Sequence, residues 1–237
     1  MSLERPLPAG LLERLQQVDT PTVCNAIEVA QGGRGFAGFT RGTMHHSHPG
    51  QPPMVGFART AKIAGLAPPS EDAGTVNARR IAYYRHMAEG TAPTVAVVQD
   101  MDGARSIAGW WGEVHTAVHK GLGMVGAVTN GVMRDLDVME PGFQVLAGQI
   151  GVSHGFVHVT EVGGPVEVFG LTISPGDLIH ADRHGALVIP PEVIDGLLDA
   201  IDRTIANEAL ILGPAREPGF DIDRLEAAWA HFAKVRT

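Results

Sequence analysis

The stretch PTVAVVQDMDGARSIAGWWGEVHTAVHKGLGMVGAVTNGVMRD, residues 93–135, decides the fold. Its two apolar runs, Thr94–Val98 and Met124–Val128, are short, rich in β-branched valine and bounded by turn residues, so each reads as a buried strand. Between them, Gly112–Leu122 has the pattern of a helix, closed by Gly121 and Gly123. Ala104–Ala108 reads as a short additional strand. A strand, a helix and a second strand in that order define the α/β class.

The same reading extends outward in both directions. On the N-terminal side, Asp19-Thr20-Pro21 has a capping side chain followed by proline, and predicts a helix through Val23, Ile27 and Val29. A Gly-rich stretch follows, from Gly32 to Gly42, and reads as a turn: it lacks the preceding apolar strand that a phosphate-binding loop requires. Residues 54–64 form a strand, 67–74 a loop and Val76–Glu89 a helix. On the C-terminal side, strands are expected in 143–151, 157–162, 166–173 and 186–190, with a turn at 174–177. A periodic helix runs from Pro191 to about Leu212. After the break GPAREPGF, a last amphipathic helix, Ile222–Val235, carries Leu225, Trp229 and Phe232. The late cluster of strands favours a β-rich layered domain over a doubly wound sheet. One domain over 1–212 and a C-terminal helical extension over 213–237 are expected.

Bulk properties narrow the function classes. Hydrophobic residues make up 44% of the 237 and charged residues 19%, values of an ordinary globular chain rather than a disordered or membrane protein. Apolar runs such as Val95–Val98 are strand-sized, and the stretch MSLERPLPAGLLERLQQ shows no secretory signal. A net charge of −8 without clustered Lys or Arg argues against nucleic acid as a partner. Cys24 is the single cysteine, so an internal disulfide and a multi-cysteine zinc site are excluded, and a cytoplasmic setting is expected.

Three groups of residues could carry chemistry. In the first, Glu113 opens a helix and Arg134-Asp135 follows the next buried strand, so two carboxylates and a guanidinium can meet at one side of a sheet. Oxygen ligands suit Mg²⁺ or Mn²⁺. Arg134 offers a planar fork for a carboxylate, and the backbone N–H groups of Val114 and His115 are unpaired in the first helical turn. Spacing alone leaves a bland alternative open, in which Glu113 only favours a helix N-terminus and Arg134-Asp135 is a surface turn. The second group is histidine. His115 and His119 are four residues apart on one helix face, a zinc-like spacing without a third ligand, and His45, His46 and His48 fall in a Pro/Gly-rich loop. The third, Asp177, His180, Asp182 and His184, reads as two strands and a turn, with His154 and His158 left undecided.

The frame G-E-V…G-x-V-x-N-G-x-x-R-D, in which twenty positions separate Glu113 from Arg134, resembles the RraA-like family of 4-hydroxy-4-methyl-2-oxoglutarate/4-carboxy-4-hydroxy-2-oxoadipate aldolases and oxaloacetate decarboxylase relatives. Thr20–Ile27 resembles the family's opening helix, and PGDLIHADRHGALVIP its closing signature; the similarity spans about residues 20–190. The resemblance implies a layered β/β/α fold of swivelling-domain type, assembled as a homotrimer or homohexamer. It implies a metal-dependent lyase that releases pyruvate from a small 2-oxo acid, with Asp135 as direct metal ligand and Glu113 acting on the metal through water. Arg134 and the amides of Val114 and His115 would then bind the pyruvate moiety. The family usually carries Asp where this chain has Glu113. Its members offer an acidic C-terminal residue to a neighbouring subunit, for which Glu208 is the nearest candidate. A branch of the family consists of non-catalytic ribonuclease regulators, the competing reading; its members lack the full acidic and Arg-Asp set.

Overall fold

The computed structural model describes residues 6–90 and 93–235; the first five residues of the N-terminal stretch read above lie outside them. Among the described residues no helix is long and apolar enough to cross a membrane.

The central sheet is built on one long strand. β2 (Met54–Ala64) pairs in parallel with β3 (Thr94–Asp100), which pairs in parallel with β5 (Met124–Thr129), and that in turn with β7 (Gln144–Ala147). The two-residue strand β1 (His45–His46) closes the β7 edge. On its other side the first part of β2 takes β12 (Leu178–Asp182), the partner of β13 (Gly185–Ile189), and its last part takes β9 (His158–Val162). The result is a curled half-barrel with mixed strand directions.

Alternation along β2 and β3 divides the core between two faces. Met54, Ala58, Val95 and Val97 point to one face, which is covered by the hairpin of β10 (Val166–Val168) and β11 (Leu171–Ile173). The hairpin turns through Phe169 at φ 50° and Gly170 at φ 74°, the left-handed pair that a tight two-residue turn requires. The opposite face is covered by helices. Val55 and Phe57 pack against α1 (Leu11–Leu15), α2 (Thr20–Gln31) and α5 (Leu197–Ala215). Ala61, Ile63, Ala96 and Val98 pack against Tyr83 and Met87 of α3 (Ala73–Met87) and against Trp110 and Trp111. This is the expected β/β/α layering. The last helix, α6 (Ile222–Val235), packs on α5.

Several boundaries differ from the sequence reading, each for a physical reason. Ala104–Ala108 is not a strand. Asp100 accepts bonds from the Asp102 N–H (2.9 Å) and the Ser106 hydroxyl, which bends Gly103–Arg105 into a 3₁₀ turn and delays the strand to β4 (Gly109–Trp111). α3 starts at Ala73 because Asp72 caps it through the Thr75 N–H at 3.0 Å. The 143–151 stretch divides at Gly148 into β7 and β8 (Gln149–Ile150), which belong to different sheets. The helix expected from Pro191 begins as a 3₁₀ segment, Pro191–Gly196, and α5 runs on to Ala215 through Pro214.

Candidate active site

The strands β2, β3 and β5 run in parallel, and ligands of α/β proteins bind beyond the carboxyl ends of such strands. There, β4, β6 (Val132–Met133) and β8 form a small parallel sheet of their own. β4 leads into α4 (Glu113–Gly121), and β6 leads into Arg134-Asp135. The Arg134 N–H donates to the Trp111 carbonyl at 2.8 Å, which fixes Arg134-Asp135 beside the start of α4.

Two glycines make this approach possible. A Cβ at Gly112 would overlap Asp135 Oδ2, and one at Gly109 would lie 2.9 Å from Arg134 Cδ and 3.0 Å from the Ser153 carbonyl. The two side chains therefore lie directly on the backbone of β4 and its exit. Asp135 itself stands at φ 58°, ψ 37°, a left-handed conformation that costs a non-glycine residue about 1 kcal/mol or more. The strain aims its carboxylate at the helix start. Oδ2 lies 3.4 Å from the Glu113 backbone nitrogen and 3.7 Å from Arg134 Nε. Among the described residues, Asp135 Oδ1 has no hydrogen-bond partner, and Arg134 Nε is buried without one.

The structure thus gathers Glu113, Val114, His115, Arg134 and Asp135 at one helix N-terminus. Val114 is 69% exposed, and the Arg134 and Asp135 side chains are about one-third exposed, so the group faces solvent in the protomer. Glu208 is not brought to it. Its Oε1 accepts a long bond (3.4 Å) from Asn25 Nδ2, in a groove of about 290 Å³ between α2, α5 and α6.

The histidines belong to the framework. His119 is fully buried, with Nε2 2.6 Å from the Tyr83 hydroxyl and Nδ1 2.6 Å from the His115 carbonyl; burial pushes its pKa down to about 4. The His115 ring stacks on Trp110 (centroids 4.1 Å apart) and bonds its carbonyl, so both imidazoles are engaged within the fold rather than as a zinc pair. His180 is buried between Thr20 Oγ1 (3.0 Å) and the Leu15 carbonyl (2.9 Å). Asp182 accepts from the backbone of Thr20 and His184, and Asp177 from Ser174 in its turn. The strand-and-turn reading of this segment therefore stands. His154 and His158 bond the nearby carbonyls of Gly155 and Phe156. His46 Nδ1 accepts the His48 N–H, so the His45–His48 segment is partly an edge strand rather than wholly a loop. In the Gly-rich stretch, Glu28 Oε1 takes the N–H groups of Gly35 (2.8 Å) and Phe36 (3.3 Å), leaving no anion cradle there.

Sequence reasoning missed the buried Asp100, whose backbone is gripped by the Asn130 side chain through bonds of 2.7 and 2.9 Å. These bonds tie the ends of β3 and β5 together just before β6. The spacing of QD and TNG after two valine-rich runs was the available signal.

A family model described as RraA-like, Aldolase/RraA, matches residues 20–188. The protein DlpA of Legionella pneumophila is 34% identical over 101 residues; the match covers 40% of this chain and only 16% of that protein. Among solved structures, a chain described under novel cellulases from gut-associated microbes superposes with a TM-score of 0.69 at 25% identity, covering 86% of this chain and 88% of that one. RraAS2 of Streptomyces coelicolor, an unusual member of the RNase ES inhibitor RraA protein family, does so with a TM-score of 0.65 at 22% identity, over 90% of this chain and 99% of that one. With most of its length matched by the family model, and with the fold just described, the chain belongs to the RraA-like family, which holds both lyases and non-catalytic ribonuclease inhibitors.

Proposed function

We propose that the chain is a divalent-metal-dependent carbon–carbon lyase, an aldolase or decarboxylase that releases pyruvate from a small 2-oxo acid. The observation that carries this reading is the convergence at α4: a left-handed Asp135 with one carboxylate oxygen open, a buried Arg134 Nε without a hydrogen-bond partner, and a helix N-terminus whose N-cap, Gly112, has no side chain. An ordinary turn can hold an aspartate in the left-handed region, but it has no need of two glycines cleared for the Arg134 and Asp135 side chains. A ribonuclease regulator has no use for this set, so the lyase reading is favoured.

The donor set fits a hard cation. Among the described residues no group of three or more His, Cys, Asp or Glu gathers as a metal cluster, but Mg²⁺ and Mn²⁺ are commonly held by one or two carboxylates, with water and substrate completing the shell. Asp135 would hold the ion directly and Glu113 through water. A bound ion would act as a Lewis acid on the substrate's 2-oxo group.

The remaining work falls to the chain. Arg134 grips the substrate carboxylate in a planar fork, supported by the N–H groups of Val114 and His115 at the positive end of α4. When the C3–C4 bond breaks, the developing enolate charge lies beside the guanidinium, whose stabilisation is greatest at that moment, and the enolate then takes a proton from water at C3 to leave as pyruvate. Decarboxylation releases CO₂ and needs no base; retro-aldol cleavage also requires removal of a hydroxyl proton. Decarboxylation of oxaloacetate is therefore the more forgiving activity. The open face of the site suits closure by a neighbouring subunit in a trimer or hexamer, with Glu208 as the residue supplied.

Calorimetric titration with pyruvate in the presence of Mg²⁺ tests the site directly. Binding in the wild type and its loss in Arg134→Ala and Asp135→Asn are expected; equal binding by all three would overturn the reading.

A further inference from the structure

The N-cap of α4 offers no side chain to its first turn, which among the described residues receives only the long bond from the Glu113 N–H to Asp135 Oδ2, at 3.4 Å. That N-cap is Gly112, and the carboxylate of Asp135 leaves no room for anything larger. A helix start normally held by a Ser, Thr or Asp side chain must be oriented here by other means. Thr116 supplies part of the restraint, its hydroxyl donating to the Gly112 carbonyl at 2.9 Å.

The remainder comes from a closed ring of hydrogen bonds beneath the helix. Trp110 Nε1 lies 3.3 Å from the Tyr83 hydroxyl, which lies 2.6 Å from His119 Nε2; His119 Nδ1 lies 2.6 Å from the His115 carbonyl, and His115 Nδ1 bonds the Trp110 carbonyl. The direction of the bonds is forced. The His115 carbonyl can only accept, so a neutral His119 carries its proton on Nδ1 and leaves Nε2 as an acceptor; the Tyr83 hydroxyl therefore donates to Nε2 while its oxygen accepts the indole N–H. The Trp110 carbonyl likewise only accepts, so His115 donates to it from Nδ1. The ring begins and ends on Trp110, passing through α3 and α4. Tyr83, Trp110, Trp111 and His119 also pack edge to face or tilted, with centroids 4.7–5.5 Å apart. Burial keeps His119 neutral, as the ring requires.

We propose that Tyr83 and His119 are positioning residues for the carboxylate-binding turn of α4: through this ring they fix the rotation of that turn about Gly112, so that the Val114 and His115 amides face the site. The proposal rests on the reading of the site given above. Neither side chain touches the substrate.

The test uses the full-length protein and two independent readouts. In Tyr83→Phe, amide hydrogen exchange over residues 113–116 should accelerate, and pyruvate should bind more weakly in Mg²⁺, each by about tenfold, the ratio one neutral hydrogen bond is worth. Exchange in α5 should not change. KM should rise while kcat stays within about twofold, the pattern of lost ground-state binding. His119→Asn keeps a donor near the Nδ1 position and should stay closer to wild type than His119→Leu, which also covers the case in which Tyr83→Phe does not fold. Unchanged exchange at 113–116 in Tyr83→Phe and His119→Leu, or equal acceleration in α5, would overturn the proposal. A wild type that does not bind pyruvate would overturn the reading of the site, while the exchange measurement would still decide whether the ring orients the turn.

Discussion

At the scale of single residues, the site depends on what is absent as much as on what is present. Gly112 leaves the space that Asp135 Oδ2 occupies. Gly112→Ala should therefore displace the carboxylate and reduce pyruvate release at least tenfold, a loss of about 1.4 kcal/mol in transition-state stabilisation, with little change in thermal midpoint because the affected carboxylate is on the surface. A large fall in midpoint with unchanged activity would contradict this. Arg134→Lys keeps the charge but not the fork, so kcat/KM should fall by a few kcal/mol-equivalents, about 100-fold, if the guanidinium also faces the developing enolate. Unchanged kcat/KM would show Arg134 to be a bystander. Chain order allowed Glu113 and Arg134-Asp135 to meet but left a surface turn as an equal reading; it was the family resemblance that singled them out together. Gly112 and the left-handed Asp135 were not legible, since a steric requirement for glycine leaves no mark in a sequence that distinguishes it from an ordinary turn.

At the scale of elements, α4 is held from below by a neutral histidine, which makes its stability depend on pH. The pKa of His119 falls from 6.5 to about 4 in the folded chain, chiefly through burial. Below pH 6.5 the unfolded chain binds the proton first, so stability should fall as the pH drops from about 6.5 to about 4, by about 3 kcal/mol from this residue. Asp100, whose carboxyl burial pushes up, takes up a proton earlier in the folded state and opposes the trend. Urea midpoints measured across this window should show a steeper decline in wild type than in His119→Gln; parallel declines would exclude the histidine as the cause. The long strand β2 and the valine-rich β3 and β5 were readable because each is a run bounded by turn residues. The mistaken strand at Ala104–Ala108 shows the limit: the bend there comes from the Asp100 carboxylate at the end of β3, which accepts the Asp102 N–H and the Ser106 hydroxyl, and such local side-chain bonds compete with strand pairing.

At the scale of the whole molecule, the helical layer carries Glu208, and the strand-end face carries Arg134-Asp135. They lie apart within a protomer, so under the proposed function Glu208 could act at Arg134-Asp135 only across a subunit boundary, as the family resemblance implies for a homotrimer or homohexamer. Asp135→Asn and Glu208→Gln should each be impaired alone. Mixing them under conditions of subunit exchange should restore activity above either parent, since some sites then carry neither defect. No recovery after proven exchange would refute the shared site and leave the Arg134-Asp135 reading standing. The layering was legible from the interleaving of strands and helices; the assembly came only from family resemblance, because an interface leaves no periodicity of its own in one chain. The central claim, a metal-dependent lyase, is tested most directly by following pyruvate release from oxaloacetate and a panel of 4-hydroxy-2-oxo acids with Mg²⁺, Mn²⁺ or a chelator. Release with either ion, its loss on chelation and its recovery on re-addition are the predicted result; release of pyruvate at full rate from metal-free protein, or from none of these acids with either ion, would contradict it.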